Sequence, residues 1–382
     1  MKKITFKPDE VVPSLAVVSS LLNAKNALPI LDDVRIVTKN DSLGGTFMEL
    51  MTSDSNMWLQ VKCNGIEADE GISICVNCKS LLQALRNLEQ ESVCMEINEE
   101  SHTITCDYGN GHFTLPFNDS NEYPTPIVEK TENDVTVMLD AKKMLTAIEK
   151  AGFATANDEL RPVMCGVHFD FFKDCMVSVA SDGQKLARYK DLTITNENDD
   201  FGFTIPNKPC HTLMGVLASI DEGNVKLVFN ERCFTVNNRE FKLTARLLEY
   251  KYPDYERVIP KDNDKLATIN RQAFMNALKR VVPMSNAASE LVCLVFSNGN
   301  LEIMAEDIDF STSAKENVVC DYSGDNFKIG FKGSTLITLL QNLDGENVVM
   351  AMKEPQRAGT LKESTESQDY EYTSLIMPML LA

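Results

Sequence analysis

The sequence predicts an α+β protein made of three tandem copies of one domain, each combining two helices with antiparallel sheets. Two observations carry this. Segments starting at Lys79, His211 and Ser334 read "KSLLQALRNLEQESVCMEI", "HTLMGVLASIDEGNVKLVF" and "STLITLLQNLDGENVVMAM". Each is an apolar stripe at helical spacing, a polar turn and an alternating strand. The leucines in register, Leu81, Leu213 and Leu336, lie 132 and 123 residues apart. The second observation is punctuation. "FTLPFNDSNEYPTP", "YKYPDYERVIP" and the terminal "SLIMPMLLA" close the three copies, and Tyr123-Pro124 and Tyr252-Pro253 are 129 residues apart.

Each copy opens with a strand leading into an amphipathic helix: "FKPDEVVPSLAVVSSLLNAK", "LDAKKMLTAIEKAGFATAN" and "INRQAFMNALKRVVPMSNA". With the second helix of each copy, six helices are expected, over 8–25, 77–88, 140–150, 206–220, 270–282 and 331–343. Between them the chain alternates in short runs broken by turn signals. "YGNGHFTL" and "VFSNGNLEIMA" hold Asn-Gly, which suits a two-residue primed turn. "VASDGQKLARY" reads as a strand, an Asp-Gly turn and a strand. The domains are expected over 1–126, 127–253 and 254–382, with the Tyr-Pro stretches as extended linkers, because proline extends the residue before it. In the tail, Pro378 is expected to stop sheet pairing at an edge.

At 43% hydrophobic and 24% charged residues the chain is globular rather than disordered. It contains no apolar run of membrane-spanning length. "MKKITFKPDE" lacks an apolar core and a cleavage site, so no signal peptide is expected. The eleven cysteines sit mostly in apolar strand-like runs such as "LVCLVF" and read as reduced, buried thiols of a cytoplasmic protein. Cys75 and Cys78 form the only C-x-x-C, without the second ligand pair that a structural zinc needs.

The net charge of −19 argues against nucleic-acid binding until its distribution is followed. Within the six expected helices, basic residues are Lys25, Lys79, Arg86, Lys142, Lys143, Lys150, Lys208, Arg271, Lys279, Arg280 and Lys332; acidic ones are Asp9, Glu10, Asp140 and Glu149. The helices thus carry +7 and everything else −26. One reading is the helix-favouring nature of lysine. The other is a weakly positive helical surface that faces a polyanion without reading its sequence.

No catalytic signature is present: no G-x-G-x-x-G, no G-x-x-x-x-G-K-[ST] and no G-x-S-x-G. The four histidines stand in unrelated contexts, and His168, within "VMCGVHFDFF", reads as a strand residue rather than a base. The residues alone leave three classes open: a non-enzymatic protein facing a polyanion, an enzyme with its cleft between repeats, and a protein-binding scaffold.

Taken with the triplication, "NALPILDDVRI", "SDGQKLA", "YPDYERVIP", "DYSGDNFKIGF" and the terminal "IMPM" resemble the bacterial DNA polymerase III beta subunits, the replicative sliding clamps. The resemblance runs the whole length, with an insertion near 355–369. It implies a head-to-tail homodimer forming a closed ring, helices lining a hole for double-stranded DNA and sheets outside. It implies no catalysis, no cofactor and no metal, and a separate ATP-driven loader. The partners it implies are the DNA polymerase III alpha subunit, clamp-loader subunits and other polymerase and repair proteins, all bound through short linear peptides.

Carried onto this chain, the peptide pocket of the resemblance falls on Met164, Ser181, Gly183, Gln184, Lys185, Leu186, Pro253, Arg257, Val258, Leu375, Ile376, Met377, Pro378 and Met379. Methionines and branched aliphatics make an adaptable socket, and Arg257 and Lys185 suit a peptide's oxygens at the rim. The family often has Thr and His-Arg where this chain has Ser181 and Gln184-Lys185. Arg-Leu usually follows Met-Pro-Met, where this chain has Leu380, Leu381 and Ala382. DNA contact is expected at Lys25, Lys79, Arg86, Lys142, Lys143, Arg161, Lys208, Arg271, Lys279, Arg280 and Lys332. An aromatic pair that can follow the family's arginine is replaced here, after Arg161, by Pro162-Val163. The dimer seam is expected to join Phe113 and Leu115 to Pro283 and Met284.

Overall fold

The structure is a computed structural model that describes residues 2–22, 26, 28–40, 45–88, 92–126, 134–158, 160–197, 199–230, 232–248 and 250–381. One element order recurs three times, with one additional two-residue strand, β5, in the first copy. The first copy runs β1 (Lys2–Phe6), α1 (Pro8–Ser19), β2 (Asp33–Asn40), β3 (Thr46–Ser53), β4 (Met57–Cys63), β5 (Glu67–Ala68), β6 (Ser73–Asn77), α2 (Cys78–Leu85), β7 (Val93–Asn98), β8 (Thr103–Tyr108) and β9 (Gly111–Asp119). The second runs β10 (Val135–Asp140), α3 (Ala141–Gly152), β11 (Gly166–Phe172), β12 (Cys175–Ser181), β13 (Lys185–Asp191), β14 (Phe201–Pro206), α4 (Asn207–Leu217), β15 (Asn224–Phe229), β16 (Cys233–Asn237) and β17 (Phe241–Arg246). The third runs β18 (Lys265–Asn270), α5 (Arg271–Val281), β19 (Leu291–Ser297), β20 (Asn300–Asp307), β21 (Thr312–Asp321), β22 (Phe327–Lys332), α6 (Gly333–Gln341), β23 (Asn347–Met352), β24 (Gly359–Glu363) and β25 (Tyr370–Ile376). The chain is thus α+β with three repeats, as expected.

Local chemistry sets the element ends. Asn77 accepts from the Ser80 amide at 3.0 Å and Asn270 from the Ala273 amide at 2.9 Å. Asp140 accepts from the Lys142 amide at 2.9 Å. Each satisfies an amide that the first helical turn leaves without a partner. The first helix stops at Ser19, short of the expected 25. The in-register leucines Leu81, Leu213 and Leu336 are all buried, each contributing about 2 kcal/mol of apolar burial. Both hairpins close on two residues, but only one turns on Asn-Gly: Tyr108 pairs Gly111 around Gly109-Asn110, one residue earlier than expected, whereas Ser297 pairs Asn300 around Asn298-Gly299 as expected. In the second, Gly299 takes φ +73°, which glycine adopts without strain.

By compactness the chain divides into one unit of 1–145 with 211–247 and another of 146–210 with 248–382. The division follows strand pairing, because the middle copy contributes strands to both sheets. The first unit's sheet has the order β10-β15-β16-β17-β4-β3-β2-β6-β9-β8-β7-β1-β5. Its join is β17 against β4, with Leu243 facing Leu59. The second unit's sheet has the order β14-β11-β12-β13-β25-β24-β23-β18-β21-β20-β19-β22. There β13 meets β25 over seven pairs, from Lys185↔Ile376 to Asp191↔Tyr370.

The Tyr-Pro stretches are more than extended connections. Tyr123 is buried and donates to the Asp33 carbonyl at 3.3 Å, while the Trp58 indole donates to the Pro124 carbonyl at 2.9 Å. Tyr252 and Tyr255 are buried in the second unit. The described cysteines are all unpaired, and Cys75 and Cys78 are both buried with thiols pushed up to about 12, chiefly by burial.

Candidate functional site

The pocket residues expected from sequence all fall in the second unit, at the ends of β12, β13 and β25, in the turn between β12 and β13, and in or beside the single turns Pro162–Met164 and Tyr255–Arg257. Between β12 and β13, Ser181, Asp182, Gly183 and Gln184 form a tight turn. Gln184 and Lys185 amides donate to Asp182 Oδ1, both at 2.8 Å, and Ser181 Oγ donates to the Lys185 carbonyl at 2.8 Å. Gly183 sits at φ +88°. Beside this turn β25 ends, and the Met377 amide donates to the Gln184 carbonyl at 2.8 Å.

The tail corrects one expectation. β25 is an interior strand, paired with β13 on one side and β24 on the other, so Pro378 does not guard an edge. The chain continues past it, and the Met379 amide donates to the Gly330 carbonyl of β22 at 2.8 Å. A Cβ at Gly330 would come within 2.7 Å of Leu381 and 2.8 Å of the Met379 oxygen, so glycine is what lets the tail lie there. Ala382 lies outside the described residues.

Gln184, Ile376, Met377, Pro378 and Met379 line one pocket together with Ala288, Ser289, Lys332 and Thr335. Leu186 and Leu375 belong instead to a buried cluster with Val177, Val179, Tyr252, Tyr255 and Ala358, against which Val163 and Ile259 pack. Arg257 ends the single-turn helix Tyr255–Arg257, whose Tyr255 belongs to that cluster, with Pro253 shortly before it and Val258 directly after it; Met164 ends the turn Pro162–Met164 next to Val163. Val258 and Met377 stay 55% and 43% exposed, so apolar surface is left on both components of the site.

The rim cations already have local partners. Lys185 Nζ lies 2.5 Å from Asp182, and Arg257 Nε lies 2.8 Å from Asp254. Burial alone would raise the Asp182 carboxyl, but bonds from Lys185 and from the turn amides outweigh it and hold the group low. Sequence reading missed Ala288, Ser289 and Thr335, and it took Tyr252 and Tyr255 for linker. The tyrosines' signal was present in "YKYPDYERVIP": two aromatics around a proline are costly to leave in water.

His168 is the strand residue that was expected. It stacks on Tyr252 with ring centres 4.6 Å apart, and its nitrogens reach Asp170 at 3.1 Å and Thr204 at 2.9 Å.

The cations assigned to DNA separate into two groups. Arg271 bonds the Gly345 and Leu340 carbonyls at 2.8 and 3.1 Å, closing the end of α6. Arg280 pairs with Glu316, Lys332 lies 3.5 Å from Glu290, and Arg161 lies 3.2 Å from Asp158. Lys79 and Arg86 are exposed and line a groove with Ser19, Gln83 and Asn87. Lys142 and Lys279 are also exposed, and Lys143 and Lys208 half-buried. Lys25 lies outside the described residues.

Phe113 and Leu115 stand half-buried on β9, while Pro283 and Met284 lie exposed in the turn Val282–Met284. Two strand edges near them are open. β9 pairs with β8 throughout 111–116 but reaches β6 only at 117–119. β21 pairs with β20 over 312–319 and with β18 only at Cys320 and Asp321. Among the described residues, 111–116 and 312–319 have no strand partner on their second side. Ile308, Phe310 and Val319, at or near the β21 edge, are 82%, 79% and 83% exposed.

This triplicated α+β fold, with helices and two long antiparallel sheets, is that of the sliding clamps. Three domain families match in order: the DNA polymerase III beta subunit N-terminal domain over 2–127, the central domain over 138–254 and the C-terminal domain over 256–380. The chain belongs to the DNA polymerase III beta subunit family. Relatives include the beta sliding clamp of Pseudomonas putida, 27% identical over 377 residues and 99% of both chains. The beta sliding clamp of Staphylococcus epidermidis is 25% identical over 391 residues, again 99% of each. Among solved structures, the DNA polymerase sliding clamp of Pseudomonas aeruginosa aligns over 100% of both chains with a TM-score of 0.91 and 25% identity. Among the described residues no helix is long and apolar enough to cross a membrane.

Proposed function

We propose that two copies of this chain close head to tail into a ring around duplex DNA. The ring tethers polymerases and repair proteins by their linear peptides and performs no chemistry itself. The observation that carries this is the pair of open strand edges. In order within their copies, β4, β13 and β21 are equivalent, and so are β9, β17 and β25. The chain joins β4 to β17 and β13 to β25. What is left over is β21 and β9, one unused edge of each kind. A heterologous contact between β21 of one copy and β9 of a second would repeat the same join, and two copies then leave no edge of these two kinds unused. Exposed Met284, Ile308, Phe310 and Val319 on one partner, and Phe113 and Leu115 on the other, supply apolar surface for that seam. The domain boundaries follow the repeats, at 1–126, 127–253 and 254–382.

Retention on DNA then comes from closure rather than grip. Exposed Lys79, Arg86, Lys142 and Lys279 contact phosphates without reading bases, while the acidic remainder of the chain repels DNA. Among the other cations assigned to DNA, Arg161, Arg271, Arg280 and Lys332 are drawn off by their own partners. The polymerase III alpha subunit and the loader dock by peptide at Val258, Met377, Met379 and their neighbours. The setting is the cytoplasm, with no metal or cofactor required.

Sedimentation velocity tests the closure. A dimer at micromolar concentration, with no larger species as concentration rises, is the expected result. A monomer throughout, or an open-ended series of oligomers, would overturn it.

A further inference from the structure

We infer that Arg188 is a positioning residue for the peptide cleft, tying together the turn and the strand that supply its two apolar components. The inference rests on the cleft reading above and adds to it a residue that contacts no peptide.

The turn Tyr255–Arg257 is three residues long, and the side chain of Asp254, which precedes it, makes no capping bond but only an exposed ion pair with Arg257. So short a turn does not hold its own orientation. Two neighbours fix it at consecutive residues. Tyr255 donates its hydroxyl to Asp170 Oδ2 of β11 at 2.6 Å, and Asp170 also takes a bond from His168. Glu256 accepts from Arg188 Nη1 of β13 at 2.9 Å. The next two residues are Arg257 and Val258.

The same guanidinium reaches the other component. Arg188 Nη2 donates to Glu371 of β25 at 2.8 Å, and Lys190 supports Glu371 from 3.3 Å. β25 leads directly to Met377. The Arg188 side chain is only 13% exposed, against 45% and 49% for the two glutamates. One largely buried cation therefore bridges two carboxylates from separate elements, a geometry the planar fork of arginine can satisfy and the point charge of lysine cannot. Without it, Lys190 alone remains on Glu371, Glu256 loses this tie to β25, and the turn with Val258 is released from the strand.

The test uses the full-length chain and a labelled synthetic peptide copying the clamp-binding segment of a polymerase III alpha subunit. R188Q is expected to weaken peptide binding about tenfold with the dimer retained, and E256Q, which leaves Arg188 paired to Glu371, by a smaller factor. Because Arg188 acts through the turn, the losses from R188Q and V258A should not add in a double-mutant cycle. A purely structural role would lower the melting temperature yet give additive binding losses. If the parent binds and both R188Q and E256Q bind within twofold of it, or if the R188Q and V258A losses add, the inference fails and the cleft stands. Should R188Q not fold, E256Q in the same cycle with V258A decides by the same criteria. If the parent does not bind, the cleft reading itself fails and takes the inference with it.

Discussion

Lys185 faces Ile376 across the last pair of the β13–β25 ladder, and one step further the Met377 amide donates to the Gln184 carbonyl at 2.8 Å. The "SDGQKL" turn and the terminal "IMPM" are thus neighbours because one ladder ends between them. The tail from Met377 on is held by that bond and by the Met379 bond to Gly330, each worth about 1 kcal/mol net.

Deleting Met377–Ala382 removes both bonds, exposed Met377 and half-buried Met379 while leaving the ladder whole. Peptide binding should fall by more than tenfold, with the dimer and most of the thermal stability kept. Fluorescence anisotropy with the labelled peptide is the check, and unchanged affinity would disprove the cleft assignment.

Local features were legible in sequence. The leucine stripe, the Asn298-Gly299 hairpin and the Asp-Gly turn each depend on a few neighbouring residues, and each formed; the first hairpin also formed, but turns on Gly109-Asn110. Long-range partnerships were not legible. Nothing near Arg188 in sequence announces Glu256 or Glu371, 68 and 183 residues away. Arg271 looked like a surface cation and instead closes the end of α6, while Lys332, assigned to DNA, lines the tail pocket. The middle copy's division between two sheets was hidden too, because periodicity reports which face of a strand is apolar and not which strand lies beside it.

Placing charge on an open edge should prevent the seam from forming. The double variant F310D and V319K alters two residues that are 79% and 83% exposed, so the fold should survive with stability changed by less than about 0.5 kcal/mol each. The sedimenting species should shift from dimer to monomer. A dimer of unchanged affinity would place the seam elsewhere.

Acid should expose the role of Asp170. Burial would raise its carboxyl, but hydrogen bonds from His168 and Tyr255 outweigh it and hold the group below the usual range. A depressed carboxyl stabilises the fold above its unfolded value, near ~3.9, and loses that contribution as pH falls through the folded value. D170N should therefore be less stable than the parent at pH 7, by about 1–3 kcal/mol. The gap in denaturant midpoints should close below about pH 4. A gap that stays constant from pH 7 to pH 3 would refute this.

Thiol chemistry should follow burial. Cys63 is pushed up to about 11, and Cys75, Cys78, Cys106 and Cys210 to about 12, each mainly by burial. Native protein treated with iodoacetamide at pH 8 should be modified only at half-buried Cys94, Cys165, Cys233 and Cys293. All eleven cysteines should react after denaturation. Peptide mass mapping reads the difference, and early modification of Cys75 or Cys78 would contradict their burial.

The most direct test of the ring is topological. The protein is loaded by its loader onto nicked circular DNA, washed in high salt, and the circle is then cut. Enclosure predicts that the protein survives the wash on the circle, where phosphate contacts alone would be screened, and leaves once ends are available. Loss at the same rate from circular and linear DNA would contradict it.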